Sequence, residues 1–137
     1  GLRRPAKKTL DIQKKLNLTK NGGMVENFSA AEKICFKMRE PLIQKDGHAL
    51  GKLLDEHWQL KRIRPDEPTN SRIDRWYELG LKKGATGGTL IGAGRGGFLL
   101  FYCPEKPHIL IASLEKAGLG YVPAQFDYQG TTIIYSS

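Results

Sequence analysis

From Met24 to Lys45 the apolar positions Val25, Phe28, Ala31, Cys35, Met38 and Leu42 recur at steps of three and four, the spacing that places side chains on one face of an α-helix. Pro41 lacks a backbone donor and is expected to kink this helix or end it early. Asp46-Gly47 separates it from a second periodic segment, about His48 to Arg62, with Leu50, Leu53, Leu54, Trp58 and Lys61 on neighbouring faces. Pro65 and Pro68 break the chain again. Asn70 or Ser71 can then cap a third helix, with Ile73, Trp76, Tyr77 and Leu81 inward and Lys82, Lys83 and Gly84 at its C-terminal end.

After Gly84 the period becomes extended. Strands are expected near Gly88 to Ile91 and Gly97 to Cys103, followed by a helix from about Pro107 to Ala117 that Gly118 stops. Tyr121 to Asp127 and Thr131 to Tyr135 read as a last hairpin around Tyr128-Gln129-Gly130. Ahead of all this, residues 1–22 read as a basic interdomain or linker segment, with a short helix around Thr9 to Leu16 and a breaker at Asn21-Gly22-Gly23. The order predicts an α+β domain over residues 23–137. Its expected core is a mostly antiparallel four-stranded sheet, ferredoxin-like, with helices covering one face and a helical segment before it.

A chain of 137 residues with 39% hydrophobic and 26% charged residues has the composition of one globular domain. No stretch approaches the roughly 18 apolar residues of a membrane span. Cys35 and Cys103 stand far apart on apolar faces, which favours buried thiols in a reducing compartment over a disulfide scaffold and predicts a cytoplasmic protein. His48, His57 and His108 have no partners at ligand spacing, so no metal site is expected. The net charge of +8 invites a nucleic-acid partner. However, residues 1–20 hold seven basic side chains against Asp11 alone, whereas the remainder holds 15 basic and 13 acidic ones. The excess is a local run, and polyanion binding is disfavoured as the main function.

The stretch with candidate chemistry is LIGAGRGGFLLFYC, residues 90–103. Gly92, Gly94 and Gly97 satisfy G-x-G-x-x-G by spacing, but a dinucleotide fold needs a helix after the glycines, and Phe98 to Cys103 reads as a strand. A Walker loop would end in G-K-S/T, and this one ends Gly-Gly-Phe. What remains is a strand, glycine loop, strand hairpin. Its backbone donors could form an anion nest with Arg95 adding positive charge, or its glycines could simply allow tight turning and close packing.

Four stretches, LGKLLDEHWQLKR at 50–62, TNSRIDRWYELGLKKGATGG at 69–88, GTLIGAGRGGFLLFYC at 88–103 and EKAGLGYVPAQFDYQGTTII at 115–134, agree in order and spacing with one family. They resemble the C-terminal half of the GHMP small-molecule kinases, with most likeness to the branch that phosphorylates D-glycero-D-manno-heptose 7-phosphate. The resemblance implies that the glycine loop shapes the phosphate and substrate region of an ATP-dependent sugar kinase. Carried over, it points to Gly92, Ala93, Gly94, Arg95, Gly96 and Gly97 as binding residues. Two positions depart: the family's G-A-G-G-G-G has Arg95 in fourth place, and its lysine after the Gly-Gly pair is Thr89.

The resemblance also places the P-x-G-L-G-S-S-A nucleotide loop and the catalytic aspartate in an N-terminal domain, and neither motif occurs in these residues. GLRRPAKK at the start is similar to the tail of the family's connecting segment. ATP and Mg2+ are thus expected in an intact enzyme, with no cofactor, catalytic residue or activity expected of the isolated chain. The implied partners are an N-terminal kinase domain and a sugar phosphate, with self-association through the surface that domain would cover. A non-catalytic interaction module of the same fold is the alternative. Trp58, Lys61 and Arg62 could serve a sugar phosphate, although core or domain-interface packing is the stronger reading for Trp58 and a solvated helix charge accounts as easily for Lys61.

Overall fold

The computed structural model describes residues 22–63, 71–92 and 97–125. Its elements in chain order are α1 (Gly22–Gln44), α2 (Gly47–Arg62), α3 (Ser71–Lys82), β1 (Gly87–Ile91), β2 (Phe98–Tyr102) and α4 (Pro107–Lys116). The expected lead helix at Thr9 to Leu16 lies outside the described residues.

Local chemistry explains the boundaries. Asp46 caps α2 by accepting a hydrogen bond from the Ala49 backbone N–H at 2.9 Å. At the end of α3, Gly84 takes φ 100°, and the N–H of Ala85 donates to the Gly80 carbonyl at 3.1 Å. This six-to-one closure satisfies helix-end carbonyls. Gly118 repeats it after α4, with the Leu119 N–H on the Leu114 carbonyl at 3.0 Å. Pro107 opens α4, where its missing donor costs nothing.

β1 and β2 pair antiparallel, with Gly87 opposite Tyr102 and Ile91 opposite Phe98. Because side chains alternate along a strand, Tyr102 and Phe101 project to opposite faces. The Tyr102 ring lies over Gly47 and Gly51 of α2, and the Phe101 ring lies over Gly80 of α3. Helices therefore cover both faces near β1, not one as expected, and Gly87, Gly88, Thr89 and Leu90 are buried consecutively. The core is Trp58, Ile73, Tyr77 and Leu90, with Trp76, Leu99 and Phe101 packed against it. Trp58 and Tyr77 have ring centroids 5.3 Å apart, and Tyr77 and Phe101 stack at 5.5 Å. The Trp76 indole N–H donates to the Ala117 carbonyl at 3.1 Å and ties α3 to the end of α4.

Other expectations need correction. The sheet has two strands among the described residues. Residues 121–125, the start of the third expected strand, are irregular and exposed, and the rest of that hairpin lies outside the described residues. α1 continues through Pro41 to Gln44, because the proline comes only one turn before the helix closes on itself: the Asp46 N–H donates to the Pro41 carbonyl at 2.9 Å. The face of α1 that meets α2 carries Ile34, 7% exposed, while Val25 and Leu42 of the expected inward face are 62% and 48% exposed. Two apolar stripes compete on this helix, and periodicity alone does not choose between them. Cys35 follows the outer stripe and is exposed, and Cys103 is half-buried, so neither free thiol is buried as expected.

Candidate functional site

The glycine loop leaves β1 at Ile91 and enters β2 at Phe98, which form the last rung of the ladder. Its two described glycines, Gly92 and Gly97, have φ of 123° and 128°. That region strains any side-chain-bearing residue, and a Cβ on Gly97 would also run into the Ile91 carbonyl oxygen. The turn therefore requires glycine at its root. Ala93, Gly94, Arg95 and Gly96 lie outside the described residues.

α2 positions this root. It runs in the same direction as β1: Gly51 approaches Gly87, His57 lies against Thr89, and Lys61 reaches Leu90 and Gly92. Ten residues of helix rise about 15 Å and five residues of strand about 16.5 Å, so the two elements stay in step over this length. Close approach starts at Gly87, where a Cβ would collide with the Gly51 carbonyl oxygen. One helical turn on, the Tyr77 hydroxyl lies 2.5 Å from Asp55 Oδ1 and 3.1 Å from the Gly88 carbonyl oxygen. Further along, His57 Nδ1 and Thr89 Oγ1 are 3.1 Å apart, with Thr89 buried. At the end of the row the Lys61 ammonium donates to the Leu90 carbonyl at 2.8 Å and the Gly92 carbonyl at 3.2 Å.

Electrostatics along the row are set by burial. The Tyr77 phenol is held well above its usual range, first by desolvation, then by its hydrogen bond to Asp55 and by that carboxylate's charge. It is a neutral structural donor. Arg62 turns away from the loop, with Nε 3.1 Å from Asp74 Oδ1 and Nη1 3.3 Å from Gln59 Oε1. This pairing makes Asp74 an α3-to-α2 tie. Trp58 is 1% exposed and belongs to the core, so it presents no ring to a sugar.

Of the residues raised as candidates, the structure brings Lys61, Gly92 and Gly97 to one place and sends Trp58 and Arg62 elsewhere. His57 and Asp55 carry no signal in the sequence that marks them as supports. His57 and Lys61, four residues apart, share a helix face that Asp55 does not, and their targets on β1, like the Asp55 bond to Tyr77, become visible only once β1 lies alongside α2. A groove of about 440 Å3 between α1 and α2 is lined by Lys33, Lys37, Asp55 and Glu56, whose charges balance. Among the described residues no cluster of three His, Cys, Asp or Glu side chains could hold a metal, and no helix is long and apolar enough to cross a membrane.

Comparison with known proteins adds to this geometry. Residues 38–120 match the family described as GHMP kinases C terminal. Over 99 residues the chain is 35% identical to D-glycero-alpha-D-manno-heptose 7-phosphate kinase of Campylobacter jejuni, an alignment covering 72% of this chain and 29% of that enzyme. The fold matches the crystal structure of L. major mevalonate kinase in complex with R-mevalonate with a TM-score of 0.74, at 19% identity, over 85% of this chain and 36% of that one. The chain thus spans about a third of the length of the relatives it matches.

Proposed function

The chain belongs to the GHMP kinases through their C-terminal domain, and on that premise we propose that it forms one wall of the substrate and phosphate cleft of an ATP-dependent sugar-phosphate kinase acting on a heptose 7-phosphate. The observation that carries the proposal is the glycine hairpin, whose Gly92 and Gly97 both take backbone angles reserved for glycine and whose root is fastened from α2 by Lys61. A loop of this kind can bring backbone N–H donors close to an anion, with no side chain in the way. Gly92, Ala93, Gly94, Arg95, Gly96 and Gly97 are the residues assigned to that role, and Arg95 supplies a fixed positive charge.

ATP and Mg2+ belong to the intact enzyme in this reading. The donor set fits only part of what they need. Backbone donors and Arg95 suit a phosphate, whereas the described residues contain no carboxylate cluster for magnesium. Phosphoryl transfer depends on positioning and charge neutralisation, and this domain contributes to both, while the metal ligands and the base are assigned elsewhere. Those come from an N-terminal kinase domain, in a cytoplasmic enzyme.

The test is kinetic. In the intact enzyme, Gly94→Val should lower kcat/KM for ATP-dependent phosphorylation of heptose 7-phosphate by about 100-fold or more, the loss typical of removing preorganised backbone donors, with the melting temperature unchanged within a few degrees. A variant with wild-type kinetics would remove the loop from the phosphate region.

A further inference from the structure

We infer that Lys61 is a positioning residue that fixes the bend at Leu90 and Gly92 where the backbone leaves β1 for the glycine loop, a role that rests on the reading of that loop as a phosphate-binding element. Its ammonium donates two hydrogen bonds to main-chain carbonyls. Carbonyls two residues apart on a straight strand point the same way and lie about 6.6 Å or more apart. Two oxygens at 2.8 Å and 3.2 Å from one nitrogen can be separated by no more than the sum of those distances, 6.0 Å. The carbonyls of Leu90 and Gly92 are therefore drawn together, and Gly92 with φ 123° is where the backbone departs from the strand. The ammonium sits inside the bend between β1 and the loop.

Lys61 is suited to this for three reasons. It lies in the last turn of α2, where the negative end of the helix dipole favours a cation. Its half-buried position strengthens a charge-assisted hydrogen bond relative to one in open water. Finally, α2 is held in register with β1 by Gly51 against Gly87 and by His57 against Thr89, so the ammonium arrives from a fixed base. Neither partner is a side chain that could swing away. The bend is thus defined by a rigid helix acting on main-chain oxygens.

Lys61→Met keeps the length and apolar stem of the side chain and removes the ammonium. On the 137-residue chain it should raise amide hydrogen exchange across residues 91–98 by about tenfold, as expected for losing a charge-assisted hydrogen bond at a locally opening site, while residues 71–82 change less than about twofold. In the intact enzyme kcat/KM should fall by a similar factor, and Lys61→Arg, which keeps the charge, should restore much of both effects. Unchanged exchange at 91–98 overturns the inference, as does a rise spread evenly over α2, α3 and β1. Increased loop exchange with wild-type kinetics supports the positioning role and overturns the reading of the loop as part of the phosphate site.

Discussion

Lys45 occupies the left-handed region at φ 58°, between α1 and the Asp46 cap of α2. Its neighbours close α1 as Gly84 and Gly118 close α3 and α4, but a side chain there carries a penalty that glycine avoids. Lys45→Gly should therefore stabilise the fold by about 0.5–1 kcal/mol, measured by urea denaturation. A lower midpoint would mean that the Lys45 side chain contributes more than its backbone costs. Tyr77 makes a different prediction. Its phenol has an ordinary value of 10.0 that the fold raises, mainly through burial. The folded chain keeps this proton at a pH where the unfolded chain releases it, so the associated stability is fully present below about pH 10 and is lost as pH rises further. Tyr77→Phe should flatten the fall of unfolding free energy between about pH 10 and pH 12 by up to one proton's worth. An unchanged slope would show that the phenol ionises equally in both states.

The contact between α2 and β1 organises the domain, and Gly87 is its tightest point. A Cβ there would meet the Gly51 carbonyl oxygen, which belongs to helix backbone and cannot rotate away. Gly87→Ala should destabilise by about 2–3 kcal/mol through forced separation of the two elements. The same shift would carry Lys61 away from Gly92, so loop exchange should rise together with the loss of stability. A stable Gly87→Ala variant with unaltered loop protection would mean that the helix and strand are not in rigid register. α1 behaves differently, because Ile34 faces inward while Val25, Phe36 and Ile43 stay 62%, 73% and 62% exposed. Loss of Ile34 through Ile34→Ala should cost more than loss of Phe36 through Phe36→Ala, reversing the order of their sizes; denaturant midpoints of the two variants test this.

The described residues bury a core of aromatic rings and fasten the root of a glycine loop, and in the proposed reading phosphoryl transfer belongs to the intact enzyme. Incubated with magnesium, ATP and heptose 7-phosphate or galactose, the purified 137-residue chain should release no ADP above a boiled control. Turnover that Gly94→Val and Arg95→Gly abolish would place a complete active site within these residues. In the intact enzyme, Arg95→Gly should change substrate or nucleotide affinity with the melting temperature shifted by no more than a few degrees.

Local chemistry in the sequence determined most of the element boundaries. Asp46, Gly84, Pro107 and Gly118 act on their own neighbours within one turn, through caps and backbone angles that need no distant partner. The glycine hairpin was legible for the same reason, since the glycines and the aromatic run after them already exclude a following helix. Tertiary packing decided what local pattern leaves degenerate. α1 has two apolar stripes, and α2 selects the one with Ile34. Trp58 and Lys61 lie three residues apart on α2, yet one enters the core and the other reaches the loop root, because Trp58 packs directly on Tyr77 of α3 while Lys61 meets the β1 carbonyls. Lys61 has the sequence signature of a solvated helix-end charge. Its work at Leu90 and Gly92 depends on a helix and a strand advancing side by side over a similar length, a coincidence of pitch and register that exists only in the folded chain.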